Sequence, residues 1–332
     1  MNLNYLFSLL AVTVLFLLPW VGVDILGKKE LFGLIIPYFA VLIFIGGFIY
    51  RIINWAQSPV PFRIPTTCGQ GQSFSWIKQN KIDNPTTTMG VILRMILEIV
   101  CFRSLFRNIR LEFREGKHIS YEWEKWLWLG ALAFHWSFFV VIIRHMRFFT
   151  EPVPFFIKAL EDLDGFLQIG LPGIFISGFV LLAAVLYLFF RRIYIHQVRY
   201  ISLASDYFPL FLIMAIAISG IIMRYFTKVD IISVKEMTMG LVTFHPVVKE
   251  GVHTIVYVHL FLVCVLIAYF PFSKLMHLGG IFMSPTRNLA NTTRVKRHIN
   301  PWNYPVPVHT YEAYESEFRE KMKEAGLPVE KE

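Results

Sequence analysis

Four stretches of the sequence, residues 3–23, 31–50, 166–190 and 251–272, contain no Asp, Glu, Lys or Arg. Each is about 20 residues or longer, enough for a helix rising 1.5 Å per residue to cross a hydrocarbon core roughly 30 Å thick. Residues 126–143 and 207–223 are slightly shorter runs that extend at their polar ends. In lipid every backbone N–H and C=O must find a partner within the chain, and a continuous apolar run does so as helix. The sequence therefore predicts an all-α integral membrane bundle of six transmembrane helices. Composition agrees, with 55% hydrophobic and only 17% charged residues, against about 25% charged in a soluble domain. The first run has no basic residue before it and no small-residue cleavage pattern after it, so it reads as a retained helix and not a removed signal peptide.

Charge sets the expected orientation. On the side holding the N-terminus, the segment 51–125, the loop around Arg191 and the tail carry 23 of the 32 Lys and Arg residues. The positive-inside bias then places both termini in the cytoplasm and the chain in the cell membrane, although Lys28 and Lys29 fall outside. The net charge of +9 follows from this asymmetry; no motif points to nucleic acid. Three regions are expected: an extra N-terminal helix over 1–30, a membrane domain over 31–280, and a cytoplasmic tail over 281–332. Within the membrane domain, 57–124 is too long and polar for a turn. Its part from Met89 to Arg114 sets Arg94, Arg103, Arg107, Arg110 and Arg114 at helical intervals among apolar residues, which predicts an interfacial amphipathic helix. In the tail, Tyr311, Tyr314, Phe318 and Met322 mark one face of a short helix ended by Gly326 and Pro328, a face that needs a partner.

The three cysteines, Cys68, Cys101 and Cys264, are far apart and form no C-x-x-C, so redox or metal chemistry has to rest on histidine. Ionisable side chains inside a span are costly and mark function. His135 and His145 lie ten residues apart on the third span, and His259 and His277 lie 18 apart on the last. Eighteen residues are five whole turns, which puts both rings on one face, about 27 Å apart along a straight helix. Ten residues give only about 15 Å; Pro271 offers a kink that would absorb the mismatch. With the two spans antiparallel, His145 meets His259 in the outer half and His135 meets His277 in the inner half. Two cross-helix pairs at two depths suit two stacked haems, each iron held by one imidazole from each helix and left with no open position. Gly130, Ala131, Ala133 and Ser137 are small enough for a flat macrocycle to approach the third span, and Gly279 and Gly280 stop the last helix after His277. Arg144 and Arg147 flank the outer ligand and suit haem propionates, and Lys274 suits the inner ones or the lipid surface. Glu151, Glu161, Asp162 and Asp164 form an acidic outer loop, either a proton acceptor or a solvated face. His245 is a competing partner for His259 that reads better as a loop residue, and His253 is a quinone contact or an interfacial side chain. His118, His196, His298 and His309 sit in polar segments.

These spacings, together with the ending Phe-Pro-Phe-Ser-Lys-Leu-Met-His at 270–277, resemble the gamma subunit of respiratory nitrate reductases over residues 31–280. The first helix and the tail Arg-His-Ile-Asn-Pro-Trp-Asn-Tyr-Pro-Val-Pro-Val-His-Thr-Tyr-Glu look like the DsrM-type membrane cytochrome b subunits of the sulfite-reduction-associated Dsr complex. The resemblance implies a di-haem cytochrome b with two haems b, an outer one on His145 and His259 and an inner one on His135 and His277. It implies electron transfer between menaquinol or menaquinone and a cytoplasmic heterodisulfide reductase-like iron–sulfur subunit in dissimilatory sulfur metabolism. A multihaem cytochrome c, a ferredoxin-like protein and a second quinone-interacting membrane protein are the further implied partners. The expected role is the quinone-reactive subunit of a membrane oxidoreductase. A nitrate or heterodisulfide reductase partner and a haem-free anchor or transporter remain the alternatives; the sequence shows no repeat symmetry of the transporter kind.

Overall fold

The computed structural model describes residues 3–58, 76, 78–114, 118–165, 173–290, 305 and 307–330. Cys68, His298, the first part of the fourth apolar run (166–172) and most of the quoted tail sequence lie outside them.

The elements follow in chain order as α1 (Asn4–Trp20), α2 (Ile36–Ala56), α3 (Thr88–Cys101), α4 (Arg103–Phe106), β1 (Ile109–Arg114), β2 (His118–Trp123), α5 (Lys125–His145), α6 (Phe155–Asp164), α7 (Ile176–Tyr194), α8 (His196–Ile201), α9 (Ala204–Ile221), α10 (Ile231–Val242), α11 (Thr254–Tyr269), α12 (His277–Gly280), α13 (Pro285–Asn288) and α14 (Tyr311–Glu324). Among the described residues six helical stretches are long and apolar enough to cross a bilayer: Asn4–Ile25, Leu31–Ala56, Lys125–Phe148, Ile176–Tyr194, Ala204–Thr227 and Thr254–Phe272. The chain is a multi-pass membrane protein; the side from which α1 starts is called inner below.

The spans pack as an open arc. α5 lies against α7, α7 against α9, α9 against α11 and α11 against α2, while α1 fills the groove between α9 and α11. The core sits in that groove, where Val12 of α1 is buried with Tyr207, Leu212, Val258 and Leu262. At the ends of α1, Ser8 Oγ donates to the Ala204 carbonyl (2.8 Å) and Thr254 donates to the Asp24 carboxylate. Among the described residues α5 and α11 share no extended packing, so a gap remains between the two helices that carry the four histidines.

One local expectation is corrected. The stretch 89–114 is not one helix. α3, capped by Thr87 Oγ1 on Gly90 N–H (3.2 Å), ends where Phe102 turns left-handed (φ 49°, ψ 49°). That conformation costs a β-carbon-bearing residue about 1–2 kcal/mol. After α4 the chain forms an antiparallel hairpin with Ile109 opposite Trp123 and Leu111 opposite Tyr121. The last span breaks at Pro271, where the sequence offered a kink. Pro271 converts α11 to a 3-10 turn, Ser273 is extended (φ −117°, ψ 176°), and His277 opens the separate α12. Gly130 lets α5 approach α7: a Cβ there would lie 2.4 Å from the Tyr187 ring of α7. Gly279 and Gly280 belong to α12 and lie against Trp55.

Candidate functional site

The gap between α5 and α11 is bridged by imidazoles. His145 of α5 and His259 of α11 are nearly parallel (16°), with ring centres 6.3 Å apart. His135 of α5 and His277 of α12 are nearly perpendicular (85°), with ring centres 5.8 Å apart. The break at Ser273 brings His277 to the depth of His135, which a straight helix would overshoot.

Each ring is oriented through Nδ1. The Nδ1–H of His135 donates to the Ala131 carbonyl (2.7 Å), that of His145 to Val141 (2.7 Å) and that of His277 to Lys274 (2.9 Å). For His259 the acceptor is Ser219 Oγ of α9 (2.9 Å), whose own hydrogen goes to the Ile216 carbonyl (2.9 Å). Every Nδ1 is thereby occupied and each Nε2 is left with its lone pair. This is how metal-ligating histidines are usually held.

The spacing fits an iron between each pair. Two imidazoles on opposite sides of one metal, each bonded at about 2 Å, have ring centres roughly 6 Å apart. Among the described residues no cluster of three or more His, Cys, Asp or Glu gathers round a bare ion. Ligands in twos suit a metal that brings its equatorial nitrogens with it, as haem iron does.

Arginines gather at the outer end. Arg144 Nη1 donates to Asp164 Oδ2 (2.6 Å) and Ser177 Oγ (3.0 Å), and its guanidinium lies 3.3 Å over the Phe175 ring. Asp164 also accepts from Ser177 N–H (2.7 Å), capping α7. Arg224 lies 3.9 Å over the same ring and donates to the Gly173 carbonyl (3.1 Å). Among the described residues the Nε of Arg144 and the Nε of Arg224 are both buried without a partner, two donors that an anionic group would satisfy. Arg147 gives its guanidinium to Glu161, and Lys235 pairs with Glu151. The acidic outer loop is thus spent largely on ion pairs and a helix cap. On the inner side Lys274 Nζ donates to Asp206 (2.5 Å).

The other histidines are elsewhere. His245 is an exposed loop residue bonded to the Thr243 carbonyl, and His253 caps α11, its Nδ1 accepting from Ile255 N–H (3.2 Å). His118, His196 and His309 are exposed. Cys101 and Cys264 are free thiols.

Residues 95–298 match the nitrate reductase gamma subunit family. The chain belongs to that family. Over 280 residues it is 48% identical to the Hdr-like menaquinol oxidoreductase cytochrome b-like subunit of Archaeoglobus fulgidus, covering 82% of this chain and 83% of the relative. Over 276 residues it is 43% identical to the protein of the same description in Archaeoglobus profundus, covering 81% of each. The match to the gamma subunit family takes in α5 to α12, and with them all four histidines.

Proposed function

We propose that the chain is the membrane cytochrome b subunit of a menaquinol oxidoreductase complex and holds two haems b. His145 and His259 would hold the outer haem, His135 and His277 the inner. The observation that carries this reading is the pair of imidazole bridges across the α5–α11 gap, with all four Nδ1 atoms already engaged. When bound, haems held by two imidazoles each would supply one-electron centres.

The chain's own residues do the rest. Ala131, Val141, Ser219 and Lys274 fix the tautomers through Nδ1. Arg144 and Arg224 offer their spare Nε–H donors to the outer haem carboxylates; Arg147, paired with Glu161, lines the same end. Menaquinol would be oxidised beside the outer pair, giving menaquinone, two protons released outward and two electrons for a soluble acceptor on the inner side. The excess of Lys and Arg on that side supports cytoplasmic termini. The acceptor is a heterodisulfide reductase-like iron–sulfur subunit, in a Dsr-type complex of dissimilatory sulfur metabolism that also holds a multihaem cytochrome c, a ferredoxin-like protein and a second quinone-interacting membrane protein.

A reduced-minus-oxidised spectrum with haem stoichiometry tests the core of this reading. Two b-type haems per chain are expected. His145→Ala should leave one, still reduced by dithionite but no longer by menaquinol; a haem-free wild-type chain, or two haems in that variant, sinks the assignment. Co-purification identifies the soluble partner.

A further inference from the structure

Between α2 and α5 the chain makes an elbow that neither span requires. α3 runs to Cys101, Phe102 turns left-handed, and α4 leads back to Asn108, whose carbonyl accepts Glu124 N–H at the head of α5 (3.1 Å). The elbow meets α5 inside the span. The indole N–H of Trp128 donates to the Cys101 carbonyl (2.7 Å) and that of Trp136 to Val100 (3.1 Å). These are terminal carbonyls of a helix, which at membrane depth have no water to turn to. Trp128 and Trp136 bracket His135 in sequence, so the elbow is pinned at the level of that residue. The side chain it delivers there is Phe102. Its ring meets the His135 imidazole edge-on, centroids 4.9 Å apart at 80°.

A bulky residue in the left-handed region is an outlier that persists only where its surroundings hold it, and such strain gathers at functional sites. Here the hold is visible. Arg103 bonds Asp83 (2.8 Å), and Ser104 bonds Glu98 through both its N–H (2.9 Å) and its hydroxyl (2.7 Å).

Resting on the two-haem reading, we propose that Phe102 is a positioning residue for the inner haem. Its ring, set against the His135 imidazole on which Phe134 also lies edge-on (5.0 Å, 87°), would limit the rotation of that imidazole. The mutual angle of two axial imidazoles shapes the low-spin EPR signal and the potential of a haem. The near-perpendicular inner pair and near-parallel outer pair therefore have separable signatures.

The test uses the full-length chain in its native membrane complex, with Phe102→Leu, Phe102→Gly and Phe102→Tyr. The inner haem is the signal lost in His277→Ala. Leu and Gly should keep two haems per chain while the EPR signal and midpoint of the inner haem shift and those of the outer stay fixed. Tyr restores the ring and should restore both. Gly relieves the left-handed strain without returning the ring, which separates side chain from backbone. Should Phe102→Leu not accumulate, Trp136→Phe, which unpins the elbow, should shift the same signal. Unchanged inner signatures in two-haem variants, or equal shifts in both haems, overturn the Phe102 assignment alone. A wild-type chain without haem overturns it together with the reading beneath it.

Discussion

A carbonyl oxygen has no proton to give, so the Nδ1 atoms of His135, His145 and His277, each facing a carbonyl, must carry the hydrogen themselves. Their tautomers are fixed by the fold before any metal arrives. His259 differs: its Nδ1 meets the hydroxyl of Ser219, buried on a different helix, which in turn bonds the Ile216 carbonyl. Loss of such an orienting partner typically costs about 10–100-fold in metal affinity. Ser219→Ala should therefore weaken retention of the outer haem by about that factor and spare the inner one, as read by haem content after graded detergent washing. The four histidines were legible in the sequence because 10- and 18-residue spacings on two apolar runs are conspicuous. Ser219 was not, because nothing in sequence links it to a residue 40 positions away. Arg224 was missed for the same reason: only the fold brings it to the Phe175 ring beside Arg144.

At the scale of elements, α3 and its elbow show how one periodicity can hide another. The arginines at 103, 107, 110 and 114 fit helical spacing, while Ile109, Leu111 and Phe113 alternate with Arg110, Glu112 and Arg114 at period two, the strand signal. The structure follows the second pattern from residue 109 onward. The elbow is secured from the inner side by Asp83, which takes both Arg103 and Arg107. Burial alone would raise this carboxyl, but hydrogen bonds from Arg103, Asn80 and Arg107 and the Arg103 charge outweigh it and hold its pKa down at about 2. A carboxylate depressed in the folded chain contributes stability that is complete above its ordinary value of 3.8 and disappears as the pH falls toward 2. Hydrogen exchange across residues 103–108 should thus rise between those limits. Asp83→Asn should show the faster exchange already at about pH 7; equal protection in the variant would mean that this clamp does not hold the elbow.

For the molecule as a whole, the six spans and the antiparallel relation of the histidine-bearing helices followed from charge-free runs and helix rise alone. The arc-shaped packing did not, because apolar runs in lipid look alike on every face. α1, expected as an addition to a five-helix domain, is embedded in the core with α9 and α11. Deleting residues 1–30 would strip the cover from Tyr207, Leu212, Val258 and Leu262, each at most 1% exposed, and should abolish accumulation of the protein in membranes, as read by immunoblot of the membrane fraction. The extended residue Ser273 has a consequence for how the two imidazole pairs can move. Because the chain changes course there, His259 and His277 sit on separately oriented segments, so a shift of the short turn that carries His277 need not drag the straight helix before it, while α5 remains the rod common to both pairs.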